Sequence, residues 1–95
     1  MSYYSAIDPA IEAWRTRHSL PLSTSFKDTE VRTTELVSAT GERFQIWIDP
    51  PNPQEVGVHA WDYKKMRRDW NVPITQLGAA LDESVRVVRG WMQGA

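Results

Sequence analysis

The chain has 95 residues, a length that accommodates one domain and leaves no room for a separate catalytic domain beside a binding domain. Its residues are 41% hydrophobic, 24% charged and 11% aromatic, a composition that supports a packed core and excludes disorder over most of the length. Because the sequence contains no cysteine, disulfide frameworks, thiolate metal sites and cysteine nucleophiles are excluded. We therefore expect a single domain over residues 1–95.

The net charge of −1 is unevenly distributed along the chain. Residues 1–63 contain five bases and nine acids, whereas residues 64–95 contain six bases and three acids. This asymmetry indicates a C-terminal segment that faces a polyanion, although a solvated basic helix has the same pattern.

Membrane, metal and cofactor sites are not expected. No apolar run approaches the roughly 20 residues that a membrane-spanning helix needs. Residues 1–4 lack the basic-then-apolar order of a signal peptide, so we expect a cytoplasmic protein. His18 and His59 are too few for a zinc site without cysteine, and no other feature indicates a cofactor.

Residues 1–60 predict a helix followed by a β-meander. Asp8 and Pro9 are typical of a helix start. Asp can accept hydrogen bonds from the free N–H groups of the first turn, and Pro fits that turn because no N–H donor is needed there. An apolar stripe then predicts a helix to about His18, and the breaker-rich residues 19–25 predict a connection. Period-two alternation predicts three antiparallel strands, over residues 31–37, 43–49 and 56–60.

Residues 61–95 predict helices. Residues 61–70 have helical composition, and Pro73 suits the first turn of a helix over residues 74–81. The capping residues at 82–84 then predict a turn before a last helix over residues 85–92. The predicted fold is an α+β domain: an N-terminal helix, a three-stranded antiparallel β-meander, and C-terminal helices with helix-turn-helix character.

The C-terminal segment has a pattern of small and large apolar residues at fixed spacing. It comprises Leu77, Gly78, Leu81, Val88, Trp91 and Gly94. Residues 67–94 thereby resemble the helix-turn-helix of Cro-like and XRE-type repressors, and residues 84–89 are similar to the second helix of MerR-type regulators. Asp82 and Glu83 depart from the family, which usually has glycine and an apolar residue there.

The resemblance implies a second helix that enters the major groove of double-stranded DNA. The residues then expected to contact bases are Ser84, Val85, Arg86, Arg89 and Gln93. Those expected to contact phosphates are Lys64, Lys65, Arg68, Thr75 and Gln76. The implied function is a sequence-specific transcriptional regulator of bacterial or phage type that binds DNA as a homodimer.

A second interpretation fits the same leucines and valines. They also suit one long amphipathic helix packed on the sheet, with residues 82–84 as its exposed turn. The chain is then a small protein-binding module, such as an inhibitor, immunity or adaptor protein, that acts through its acidic sheet face. Trp47 is the candidate protein-binding residue, because strand alternation turns it away from Phe44, Ile46 and Ile48.

A catalytic role has weaker support than either form of binding. His59 lies near Asp62 in the sequence and could pair with it as a dyad. No second base or nucleophile is spaced to join them. We therefore expect that the chain is not an enzyme.

Overall fold

A computed structural model describes residues 3–94 and shows an α+β fold. Within these residues, an antiparallel sheet of five strands has the order β1-β2-β3-β4-β5, and two helices flank it in sequence. The strands are β1 (Ser23–Phe26), β2 (Thr29–Val37), β3 (Arg43–Ile48), β4 (Glu55–Trp61) and β5 (Arg67–Pro73). The helices are α1 (Asp8–Arg17) and α2 (Leu77–Gly94), and a 3-10 turn at Ile74–Gln76 leads into α2.

The prediction of three strands and several C-terminal helices is wrong, because residues 3–94 form five strands and two α-helices. β1 was expected to be part of a connection. All of its residues are exposed, and its pairing with β2 shifts register between Ser23 and Ser25. A short edge strand of this kind has no buried side chains, so it produces no alternation that the sequence could show.

The expected helix over residues 61–70 is instead the end of β4, a tight turn and most of β5. Asp62 closes the turn, because its Oδ1 accepts hydrogen bonds from the backbone N–H groups of Lys64 and Met66 at 2.8 and 3.0 Å. β5 then pairs with β4 along its whole length. As an edge strand it is largely exposed, and its charged residues conceal the alternation of Trp70 and Val72.

The predicted turn at residues 82–84 lies inside α2, which continues to Gly94. Each of these three polar residues makes a hydrogen bond or ion pair that is compatible with a helical backbone. Ser84 Oγ donates to the carbonyl of Leu81 at 2.7 Å, and Glu83 pairs with Arg86 at 2.6 Å. Asp82 accepts from Arg17 and His18 of the α1 region at 2.8 Å. Residues 67–94 therefore form a strand and one continuous helix, not a helix-turn-helix.

The core lies between the helices and one face of the sheet, and the predicted alternation of β3 is confirmed. α1 contributes the predicted stripe, and Trp14 is fully buried. The other large, fully buried side chains are Ile7, Ile11, Phe44, Ile46, Ile48, Val56, Val58, Leu77, Leu81, Val85 and Val88. Within residues 3–94, neither helix combines the length and the apolar character that crossing a bilayer requires.

Asp8 has a different role from the helix cap that the sequence indicated. Ile7 occupies the N-cap position of α1 without a side-chain hydrogen bond. Asp8 instead accepts two hydrogen bonds from the buried guanidinium of Arg32, at 2.7 and 3.0 Å. The same guanidinium lies 4.4 Å from the ring centroid of Tyr4, whose hydroxyl donates to the carbonyl of Ile48 at 2.9 Å. These contacts join the start of α1 to the sheet.

Gly78 distinguishes the continuous helix from two crossing helices. A Cβ at a close helix crossing would clash, but a Cβ built at Gly78 meets no described atom within 4 Å beyond its own helical turn. We expect Gly78→Ala to stabilise the protein by up to about 1 kcal/mol, because alanine loses less backbone entropy on folding. Urea denaturation measures the change, with the equally open Gly90→Ala as the matched control. Destabilisation by Gly78→Ala alone would contradict the single helix.

Candidate functional site

The sheet face opposite the helices, called the open face below, carries aromatic and charged side chains. Burial alternates along β2, β3 and β4, so that every second residue enters the core. Both helices of the described chain pack on that core side. The side chains left on the open face include Thr33, Glu35, Gln45, Trp47, Asp49, His59, Trp61, Arg67 and Asp69.

Strand register places Thr33, Trp47, His59 and Asp69 in one row across four adjacent strands. The rings of Trp47 and His59 stack, with centroids 4.8 Å apart and planes 19° from parallel. The guanidinium of Arg67 lies 5.3 Å from the Trp47 ring centroid. Trp47 therefore lies on the open face, as its strand pattern predicted, in contact with an imidazole and a cation.

His59 is held by two carboxylates. Its Nδ1 lies 2.6 Å from Asp69 Oδ1, and its Nε2 lies 2.7 Å from Asp49 Oδ2. The imidazole is 17% exposed, whereas both carboxylates are about half exposed. Only the imidazolium can donate to both carboxylates at once, because a neutral ring has a single N–H.

The predicted His59–Asp62 dyad is not formed. Asp62 binds the backbone of the β4–β5 turn, and Asp49 and Asp69 occupy the two ring nitrogens of His59. With both nitrogens engaged, the imidazole presents no lone pair to a substrate in this arrangement. That the chain is not an enzyme stays a prediction.

Gly57 makes the contact between Asp49 and His59 possible. A Cβ added at Gly57 would lie 2.6 Å from Asp49 Oδ2 and 3.1 Å from His59 Nε2. The backbone N–H of Asp49 also donates to the carbonyl of Gly57 at 2.9 Å. A glycine weakens the middle of a strand, and here it leaves the space in which the Asp49 carboxylate crosses β4.

These residues border a cleft of about 640 Å³ at one end of the open face, called the acidic cleft below. Its carboxylates are Asp49, Glu55 and Asp69, and His59 and Gly57 also line it. Tyr3, Pro50, Pro51, Asn52, Trp70 and Asn71 complete the lining. Among residues 3–94, no group of His, Asp and Glu side chains has the arrangement of a metal site. The cleft is thus a negatively charged depression beside a stacked aromatic pair.

The hydrogen bond from His59 lowers the pKa of Asp69; burial opposes this shift, and Arg67 adds to it through a 3.0 Å contact. Asp69 consequently stays ionised to more acidic pH than an unfolded aspartate. The charge of the Asp69 carboxylate is therefore maintained across the neutral range.

The residues predicted to contact bases do not share one exposed surface. Ser84 and Val85 are buried in the core, with 0% and 1% exposure. Arg86, Arg89 and Gln93 are exposed on α2. Val85 and Ser84 therefore cannot reach a DNA groove while α2 stays packed on the sheet.

The residues predicted to contact phosphates are also separated. Lys64 and Lys65 lie in the β4–β5 turn and Arg68 is the second residue of β5, whereas Thr75 and Gln76 lie in the 3-10 turn beyond the far end of that strand. The strand between them spans roughly 20 Å at about 3.3 Å per residue. Binding of double-stranded DNA and formation of a homodimer stay predictions, but the helix-turn-helix that motivated them is not formed.

Sequence reasoning missed Asp49, Gly57, Arg67 and Asp69. Two signals pointed to them: a glycine at the centre of a strand, and polar residues at the alternate positions that face away from the core. Neither signal identifies partners, because those depend on the register between strands.

Gly57→Ala tests the fit between β4 and Asp49. The new methyl group would displace the Asp49 carboxylate from His59, so we expect a loss of about 1–2 kcal/mol in the free energy of unfolding. In an Asp49→Ala background the same substitution should cost less, because the closest clash is gone and only the 3.1 Å contact with His59 Nε2 remains. Urea denaturation of the four proteins in this double-mutant cycle gives the coupling. Equal effects in both backgrounds would show that Gly57 does not accommodate Asp49.

Asp69→Asn tests the electrostatic role of the carboxylate. Because folding lowers the pKa of Asp69, its contribution to stability is present above the unfolded value of about 3.9 and is lost as pH falls through the folded-state value. We expect Asp69→Asn to be less stable than the parent protein at neutral pH, and the difference to shrink below about pH 4. Thermal unfolding across this range, with Asp28→Asn as control, measures it. A difference independent of pH would contradict the assignment.

No protein-family model matches the sequence, and no curated protein or solved structure is significantly similar to the chain. The function is therefore inferred from the geometry of the acidic cleft and the open face around it.

Proposed function

We propose that the protein is a small protein-binding module whose open face receives a cationic segment of another protein. The observation that carries this proposal is the pair of half-exposed carboxylates held on His59 beside Trp47. An arginine or lysine side chain of the partner enters the acidic cleft, and the surrounding partner surface covers the Trp47–His59 stack.

The chemistry of the cleft favours a guanidinium or ammonium group. Its three carboxylates outnumber the two groups that contact them, the His59 imidazole and the Arg67 guanidinium on Asp69, and it lies apart from the lysines of the β4–β5 turn. A volume of about 640 Å³ holds a long side chain, not a folded domain. The cleft is therefore suited to one inserted side chain as the anchor of a larger contact.

The open face around the cleft has the composition of a protein interface. Tryptophan, tyrosine and arginine are the residue types enriched at the centres of such interfaces, and this face presents Trp47, Trp61, Tyr63 and Arg67. Trp47 is already immobilised by His59 and Arg67, so binding would order few additional side chains. This pre-organisation favours a partner protein that covers the whole open face over a small free cation.

A short arginine-rich peptide tests the proposal, with a glutamate-rich peptide of equal length as the negative control. We expect the arginine peptide to shift the backbone amide resonances of residues 57–59 and 69 in nitrogen–proton correlation spectra. Asp49→Asn and Asp69→Asn should each weaken binding about tenfold, since each removes a charge partner worth roughly 1–2 kcal/mol. Trp47→Ala should weaken it while the circular dichroism spectrum stays native.

The matched control is Asp28→Asn, which removes the same charge from the exposed β1–β2 turn. Affinity equal to that of the parent protein is expected for this variant. If Asp28→Asn weakens binding as much as Asp69→Asn, the attraction is a general effect of net charge. That result, or the absence of shifts at residues 57–59, would refute the proposal.

A further inference from the structure

The β4–β5 hairpin concentrates positive charge at the end of the sheet opposite the acidic cleft. Lys64, Lys65, Arg67 and Arg68 are exposed within a stretch of five residues. Arg43, at the start of β3, lies beside this hairpin, with its guanidinium 5.5 Å from the ring centroid of Tyr63. The group of these four hairpin residues and Arg43 is called the basic hairpin below.

Two cations of the basic hairpin are already paired with carboxylates. Glu35 accepts from Arg43 at 2.7 Å, and Asp69 accepts from Arg67 at 3.0 Å. Asp62 is held by the turn backbone. Among residues 3–94, no carboxylate lies within ion-pair distance of Lys64, Lys65 or Arg68. With Asp62 and Glu42 counted against these three cations, an excess of one positive charge remains.

Exposed aromatic and apolar groups accompany these cations. Tyr63 is 39% exposed and Met66 is 36% exposed, and a backbone φ of 66° at Tyr63 sets the direction of the turn. The rings of Tyr63 and Trp61 lie 5.0 Å apart, which continues the aromatic surface from the hairpin towards the centre of the open face. Cations beside accessible rings are the combination that holds phosphates and stacks unpaired bases.

We propose that the basic hairpin binds single-stranded nucleic acid, with Lys64 and Lys65 at the phosphates and Trp61 and Tyr63 against the bases. A duplex hides its base faces, so the aromatic rings favour a single strand. The carboxylates at the other end of the open face repel phosphate, which confines the strand to the hairpin end. This site shares Trp61, Tyr63 and Arg67 with the open face, but Lys64 and Lys65 lie outside the acidic cleft, so its test does not depend on that cleft.

The test uses a fluorescein-labelled single-stranded oligothymidine of about 20 nucleotides, longer than usual site sizes. We expect fluorescence anisotropy to show binding at low salt that weakens about tenfold between roughly 50 and 200 mM salt, since a few phosphate contacts release counterions. Lys64→Gln combined with Lys65→Gln should weaken binding at least tenfold and reduce the salt slope by about 1.4. Trp61→Leu should weaken binding without changing the salt slope.

The matched control combines Arg86→Gln with Arg89→Gln, which removes two exposed cations from α2. Its affinity should equal that of the parent protein. Three results would overturn the proposal: no binding at low salt, dependence on Arg86 and Arg89 instead of Lys64 and Lys65, or equal affinity for duplex DNA. Binding to vesicles containing phosphatidylserine without binding to the oligonucleotide would also overturn it, because it would identify a membrane surface as the target.

Discussion

The architecture depends on the sheet being covered from one side only. Its strands follow one another through short turns, so that only the segments before β1 and after β5 are long enough to form helices. Both of those helices pack on the same face, where Trp14 of α1 and Leu81 of α2 are completely buried. Every feature of functional interest follows from this arrangement, because it leaves the opposite face of the sheet to side chains that have no core to enter.

Both described helices lie on the other side of the sheet, and the polar side chains of the open face form a connected network of hydrogen bonds and ring contacts. His59 is less exposed than the two aspartates beside it, with Trp47 against its ring and a carboxylate on each nitrogen. The carboxylates of Asp49 and Asp69 contact both ring nitrogens of the imidazole and remain half exposed themselves. A network of this kind is rigid and still accessible, which is the property that a binding surface needs.

The sequence was sufficient for elements whose burial alternates fully, such as β3, and for the stripe of α1. It was insufficient at β5, where exposure at the sheet edge allows charged residues at most positions. It was ambiguous at residues 82–84, because hydrogen bonds and ion pairs of Asp82, Glu83 and Ser84 satisfy them inside a helix. For the site, Trp47 could be assigned to its face, but the partners of His59 could not. They are brought together by strand register, which no local pattern specifies.

The exposed edges of the sheet also bear on aggregation. An unpaired strand edge is a template for another chain, and long, flat, apolar edges grow into fibrils. Here β1 is only four residues long with an irregular register, and β5 carries Arg67, Arg68 and Asp69 and ends at Pro73. The charges and the proline that make β5 unlike a buried strand thus oppose edge-to-edge aggregation through this strand.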